Sequence, residues 1–555
     1  MKPRAVNPPD VNADEAIGRA LAAEGVRTVF GVVGSGNFHV TNALVAGGAR
    51  YVAARHEGGA ATMADAYARM SGEVGVVTVH QGPGLTNMIT GLAEAAKSRT
   101  PLLVLAGEVT SPLSNFWVDQ AALAHAVGAL SCRITSAGTA VAEATAAYRL
   151  ARRERRAVLL NLPLDVQAQR AGNDAPGPVE PFAAHEDAPL VSADLGSFER
   201  LAEALAAAER PVFVAGRGAR RARRELEALG ERVGALLATS AVARGLFKGN
   251  PWDLDVSGGF ATPLAAELIR DADLIVGWGC ALNMWTMRHG ALISPTATVV
   301  QVDLDASALG AHRSVSFGVV GEVAGCATAV TELIEAQRAG YRSDELAGRI
   351  AAGRRWQDVA YDDESGAGRI DPRTLTIRLD ELLPAERIVS VDSGNFMGYP
   401  AMFLDVPDEH GFCFTQSFQS IGLGLATAIG AALARPDRLP VAALGDGGAL
   451  MGVAELETVV RLGLPMVVVV YDDEGYGAEV HHFRGAPHDT VTFPPVDLAS
   501  IGRGFGCAAV TVTSTADLDA VREWLDGPRD LPLLIHAKVT RERGSWWLEE
   551  AFRGH

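Results

Sequence analysis

Very little in these 555 residues points toward a membrane, a nucleic acid or an oxidising compartment. Cysteine is scarce: Cys132, Cys280, Cys326, Cys413 and Cys507 lie far apart, and none forms a CxxC pair. That reads as buried thiols in a reducing compartment, not a disulfide framework. Positive charge is in deficit, with a formal net charge of −17, which argues against a nucleic-acid or anionic-membrane partner. The basic run Arg149–Arg156 reads as a solvated helix end. No apolar stretch approaches the ~20 residues that span a bilayer. The first residues, MKPRAVNPPDVNADEA, carry no apolar signal core. The expected setting is the cytoplasm.

What is present is glycine, 60 of it, in a chain that is 48% apolar and only 6% aromatic. This fits an α/β protein rich in strand-to-helix turns, long enough for two to four domains. Asn12 with Glu15 resembles a capping box opening a helix to Ala23, closed by Gly25. Strands are expected at Val29–Gly31, Tyr51–Ala54, Val74–Val79, Leu102–Leu105 and Val158–Leu162, with helices between them. The four-proline segment 167–192 reads as a linker. A second unit has strands near Pro211–Ala215, Leu274–Val276 and Val299–Val302. After the polar stretch Asp362–Asp371, a third has Ile388–Val391, Val441–Leu444, Met466–Val470 and Leu533–His536. The predicted class is α/β, three doubly wound parallel-sheet domains over 1–170, 190–340 and 370–545. Units one and three both place glycine-rich turns after their strands, as related sheets serving one site would.

The stretch Gly445–Gly477 carries the most chemistry. A strand runs into Gly445-Asp446-Gly447-Gly448, a helix is expected over about Leu450–Leu462, and a second strand ends in Asp472-Asp473-Glu474-Gly475-Tyr476. A right-handed crossover brings both strand ends to one sheet edge, so Asp446 meets one of the Asp pair. Glycine N–H groups suit a phosphate, and carboxylates with phosphate oxygens suit Mg²⁺. In unit one, Glu57 opens a helix among Gly58, Gly59, Ala60 and Ala61, small residues that let another molecule approach. Taken singly, Glu57 is a dipole-favoured helix start and Gly82-Pro83-Gly84 a tight turn; their order and strand-end placement make the set specific.

RHEGGAA around Glu57, GPGLTN at 82–87, and Gly445-Asp446-Gly447 followed after 25 residues by Asp473 together resemble the thiamine-diphosphate-dependent family. That family includes acetolactate synthase, benzoylformate decarboxylase, pyruvate decarboxylase and benzaldehyde lyase, and the resemblance covers essentially the whole chain. It implies pyrimidine-binding, central and diphosphate-binding domains, in that order. It also implies Mg²⁺ held by Asp446, Asp473 and the Gly475 carbonyl, with Tyr476 setting the register against Asp472. Ser393, Gly394 and Asn395 resemble the loop over the diphosphate, beside Gly445, Gly447 and Gly448. Ile421 matches the aliphatic residue that bends the cofactor rings together. Gln419 stands where relatives often have Gly, and only its carbonyl is needed. Glu57 would hydrogen-bond the pyrimidine N1′. A homodimer or homotetramer with sites at the dimer interface is implied.

The reaction expected is cleavage or formation of a C–C bond next to a carbonyl, most simply decarboxylation of a small 2-oxo acid with carboligase activity. His80 and Ser35 match benzoylformate decarboxylase, Asn115 lies where benzaldehyde lyase has a Gln, and His289 is a further candidate acid. His80 can shuttle a proton near neutrality. Phe418, Met451 and Phe483 are candidate pocket walls. Two alternatives stay open: acetolactate synthase with FAD, and a non-catalytic cofactor-binding subunit. The Gly216–Gly218 turn resembles the flavin-binding version of the central domain, whereas Ala281–His289 does not match it, and the segment ending His481-His482 does not match acetolactate synthases. Intact Glu57 and Asp446 argue against the subunit.

Overall fold

A computed structural model describes residues 11–172 and 195–551. Three six-stranded sheets, parallel throughout, are flanked by helices. The first contains β1 (Thr28–Val32), β2 (Arg50–Ala53), β3 (Gly75–Val79), β4 (Leu102–Glu108), β5 (Leu130–Arg133) and β6 (Ala157–Pro163). The second contains β7 (Pro211–Ala215), β8 (Leu236–Thr239), β9 (Asp253–Val256), β10 (Leu274–Trp278), β11 (Thr298–Asp303) and β12 (Phe317–Val320). The third contains β13 (Arg387–Val391), β14 (Phe412–Phe414), β15 (Leu439–Gly445), β16 (Val467–Asp472), β17 (Ala508–Val512) and β18 (Leu533–Lys538). Continuous β-branched runs such as Val467–Val470 form central strands because a parallel sheet is covered on both faces.

Sheets one and three have the same order, β2-β1-β3-β4-β6-β5 and β14-β13-β15-β16-β18-β17. Sheet two differs, β12-β11-β10-β7-β8-β9. The equivalence extends to the helices: Glu57–Ser71 follows β2, Gly424–Ala434 follows β14, and these two helices pack on each other. Their small residues, among them Ala60, Ala64, Ala428 and Ala432, share one buried core that joins units one and three.

Several local expectations need correction. β5, β8, β9, β12, β14 and β17 were not anticipated; most are short and lie at or beside a sheet edge, where one neighbour suffices and the apolar signal is weak. The helix expected over about Leu450–Leu462 is two helices, Asp446–Met451 and Glu455–Arg461, because Gly452 ends the first. Asn12 occupies the cap position of helix Ala13–Ala23 but makes no capping bond; its backbone pairs with Arg170 instead. Most of the linker lies outside the described residues, while its start is anchored by the Ala13 N–H to the Gln169 carbonyl at 2.9 Å. All five cysteines are buried and unpaired, and no helix among the described residues is long and apolar enough to cross a membrane.

The joint between units one and three contains one dense polar knot. Arg69, on helix Glu57–Ser71, donates to Asp65 and Glu94 at 2.7 Å each, to the Ser98 hydroxyl at 2.7 Å and to the Phe414 carbonyl at 2.7 Å. Asp65 and Glu94 are fully buried. Replacing Arg69 by Met leaves two buried carboxylates without a cation, which is expected to cost about 3–5 kcal/mol in denaturant unfolding; a loss below about 1 kcal/mol would show the knot to be no stronger than a surface pair.

Candidate active site

A cavity of about 3330 Å³ opens where units one, two and three meet. Every residue expected from unit three to hold a cofactor or metal lines it: Ser393, Gly394, Asn395, Gln419, Ile421, Gly445, Asp446, Gly447, Gly448, Asp473, Gly475 and Tyr476. Strand order brings them there. β15 lies between β13 and β16, with Gly445 paired to Tyr471, so three successive strands deliver Ser393, Asp446 and Asp473 to one edge.

The two aspartates at that edge differ sharply in environment. Asp472 is consumed by structure: its Oδ2 accepts from His536 Nε2 and Lys538 Nζ, both at 2.6 Å. Burial pushes its carboxyl up, but these donors hold it below its ordinary value. Asp473 faces the cavity. Burial raises Asp446 to about 8, with Asp473 and Asp472 adding like-charge repulsion, and raises Asp473 to about 7. Two carboxylates that burial and neighbouring negative charge make costly to ionise suit a cation.

The glycines here are required by close approach. A Cβ on Gly447 would lie 2.6 Å from the Tyr476 ring, and one on Gly448 2.3 Å from Asp392 Oδ2. Asp392 was missed at the level of sequence, although a carboxylate directly after β13 is itself a signal. It is fully buried, with burial raising it to about 6. It accepts the Gly422 N–H at 3.0 Å and the Leu423 N–H at 3.3 Å, which sets the turn that carries Ile421. Gln419 adopts a left-handed φ of 61°. That explains why glycine suits this position, and a side chain there costs about 1 kcal/mol. Asn395 also braces the end of the chain: its Oδ1 accepts the Ser545 N–H at 2.8 Å.

The unit-one candidates Glu57, His80, Ser35 and Asn115 do not line this cavity. They gather elsewhere. Glu57 Oε2 accepts from Asn87 Nδ2 at 3.0 Å, a partner sequence reasoning did not single out. His80 lies beside the Gly34-Ser35-Gly36 turn, its Nδ1 accepting the Gly36 N–H at 3.3 Å. Asn37 buttresses that turn by accepting the Gly34 N–H at 2.8 Å. The Phe116 ring meets His80 edge-on at 5.4 Å, so the exposed Asn115 sits on the adjoining loop. Burial holds the His80 imidazole below its ordinary value, while the nearby Glu57 charge pulls the other way. Ser35 is exposed. His289 sits in a left-handed turn (φ 53°) and does not line the cavity. Of the candidate walls only Met451 does; Phe418 and Phe483 lie outside it. The run at Arg149–Arg156 is solvated as expected, and Arg152, Arg153, Arg155 and Arg156 also border the cavity.

The division into three units matches known proteins. Residues 11–131 match the thiamine pyrophosphate enzyme N-terminal TPP binding domain, 198–333 the central domain, and 392–537 the C-terminal TPP binding domain. A probable 2-ketoarginine decarboxylase of Pseudomonas aeruginosa is 30% identical over 527 residues, 92% of this chain and 90% of its own. The chain belongs to the thiamine pyrophosphate enzymes. Other relatives of this family diverge in reaction. A sulfoacetaldehyde acetyltransferase of Castellaniella defragrans is 27% identical, covering 98% of this chain and 95% of its own. An acetolactate synthase isozyme 2 large subunit of Escherichia coli is also 27% identical, covering 97% of each. Glu57, His80, Ser35 and Asn115 fall in the N-terminal match of this thiamine pyrophosphate enzyme, and the unit-three candidates from Ser393 to Tyr476 in the C-terminal one.

The raised carboxylates make a pH prediction. From about pH 4 to about pH 8 the folded chain keeps protons on Asp446 and Asp473 that the unfolded chain has lost, so this pair destabilises the cofactor-free fold increasingly as pH rises. Asp446→Asn is expected to stabilise the metal-free chain by roughly 2 kcal/mol above that range and hardly at all near its lower end. Melting curves at the two pH extremes check this; a gain independent of pH would refute it.

Proposed function

We propose that this thiamine pyrophosphate enzyme is a 2-oxo acid decarboxylase with carboligase activity, acting on a small-molecule acid or aldehyde. The observation that carries the reading is His80, an imidazole held below its ordinary pKa beside Glu57. Decarboxylation must deliver a proton to the carbon that loses CO₂, and a base neutral at pH 7 can both give and retake one. Because Nδ1 accepts from Gly36, the neutral ring carries its proton on Nε2, and that is the atom that transfers it.

The residues present fit thiamine diphosphate with Mg²⁺: a glycine-lined edge and two carboxylates, Asp446 buried and Asp473 half-buried, that burial holds toward the protonated form. Asp446, Asp473 and the Gly475 carbonyl would hold the Mg²⁺. Ser393, Gly394, Asn395, Gly445, Gly447 and Gly448 would hold the diphosphate, with Gln419, Ile421 and Tyr476 beside them and Glu57 at the pyrimidine. When bound, the cofactor supplies an electron sink next to the substrate carbonyl. Glu57 and Asp446 face different surroundings within one chain, so we place the complete site between two copies, two sites per homodimer or more in a tetramer. The unpaired cysteines support a reducing, cytoplasmic setting. The relative named for 2-ketoarginine supports an acid with a long basic side chain as one substrate to try.

A second reading, acetolactate synthase with FAD, has one specific support. Arg217, in the Gly216–Gly218 turn, lines the cavity, and its side chain makes no hydrogen bond or ion pair with a described residue. Burial, with Arg69 and Arg220 nearby, pushes its guanidinium down to about 9, a cation suited to an anionic group such as a nucleotide phosphate.

Incubation of the holoenzyme with pyruvate, benzoylformate, phenylpyruvate and 5-guanidino-2-oxopentanoate, with product identification, decides between the readings. An aldehyde is expected; acetolactate with bound yellow flavin selects the second. Glu57→Gln is expected to abolish turnover while cofactor binding persists, and surviving activity refutes the assignment. His80→Ala should lower decarboxylation about 10²–10⁴-fold, measured as CO₂ release.

A further inference from the structure

Because sheets one and three share a strand order, their parts correspond: β2 with β14, and the helix after β3 with that after β15. Two carboxylates exploit the correspondence across the joint. Glu455, on helix Glu455–Arg461 beyond β15, reaches the turn after β2. Its Oε1 accepts the Arg55 N–H at 3.0 Å and the His56 N–H at 3.1 Å, the two amides directly before Glu57. Its Oε2 is fixed by the Thr458 hydroxyl at 2.7 Å. Glu94, on helix Pro83–Lys97 after β3, reaches the turn after β14. Its Oε1 accepts the Ser417 N–H at 3.0 Å and its Oε2 the Phe418 N–H at 2.6 Å, the two amides directly before Gln419. Both carboxylates are buried, at 3% and 0% exposure.

Neither contact serves the unit that supplies it. A buried carboxylate donated to another unit's backbone is costly unless those amides are held with good geometry, and here each holds a consecutive pair at the edge of a half-site. The glycines of RHEGGAA acquire a different reason from the one expected. A Cβ on Gly59 would lie 2.5 Å from Glu455 Oε1, so this glycine makes room for a carboxylate of unit three.

We propose that Glu455 is a positioning residue for Glu57, and Glu94 its reciprocal for the Gln419–Ile421 turn, so that each half-site of a chain is aimed by the opposite unit. The inference rests on the role given to Glu57 above. Displacement of a reacting group by an ångström costs on the order of a hundredfold in rate, which is the scale such a clamp controls.

The test combines amide hydrogen exchange in the full, cofactor-free chain with steady-state kinetics of the holoenzyme. Glu455→Ala is expected to speed exchange at Arg55 and His56 by about tenfold or more. It should lower kcat by about ten- to a hundredfold while KM changes by no more than about twofold. Glu455→Gln, which keeps an acceptor oxygen, should retain most of both. Thr458→Val frees Oε2 without removing the clamp, should show intermediate effects, and decides the matter if the alanine variant does not fold. Wild-type exchange at these two amides, or faster exchange with unchanged kcat, overturns the proposal. Turnover surviving in Glu57→Gln would instead remove the role of Glu57 and leave the exchange result standing.

Discussion

The guanidinium of Arg69 lies between two carboxylates that water does not reach, Asp65 and Glu94, and its remaining donors go to the Ser98 hydroxyl and the Phe414 carbonyl. Charges this deep are tolerated only when hydrogen bonding is nearly complete, and that demand dictates where helix Glu57–Ser71 sits against unit three. The helix is therefore tied to unit three at both ends, through Arg69 near its last turn and through Glu455 just before its first. Glu57 inherits its position from both ties. Much of the packing at the joint, the alanine-rich face against helix Gly424–Ala434, is unspecific by comparison.

A repeated sheet topology puts equivalent strand ends to different uses. In unit three, β13, β15 and β16 deliver loops whose glycines and buried carboxylates suit phosphate and a cation. In unit one the corresponding edge offers Glu57, His80 and Ser35. In the proposed reading one edge takes charge and the other moves protons, a division that follows from their side chains and not from the shared fold.

The electrostatics of the large cavity are uneven in the same way. Its unit-three wall carries Asp446 and Asp473, both pushed toward the protonated form, while its unit-two wall carries Arg217 and Arg220, both pushed toward losing charge by burial. A net charge of −17 says nothing of this local opposition. Each wall is stabilised by a ligand of the sign opposite to its own.

Strand ends followed by glycine and a carboxylate could be read directly from the residues, because turn chemistry and β-branched runs are local properties. The three sheets and the placing of Glu57 and Asp446 at strand ends came from such local signals, while the roles of the units in order came from the resemblance. The choice between Asp472 and Asp473 came from spacing and resemblance, and its physical basis, His536 and Lys538 occupying Asp472, lies 64 and 66 residues away. Short strands such as β5 and β14 lacked a pattern strong enough to announce themselves. The break at Gly452 was invisible inside a helical periodicity, since a glycine there is tolerated until packing chooses otherwise. Glu455 meets Arg55 across 400 residues and Glu94 meets Phe418 across 324. Backbone amides advertise nothing in a sequence, so only the meeting of units one and three could decide what these carboxylates hold. Residue chemistry named the groups able to react; tertiary packing alone determined how they are aimed.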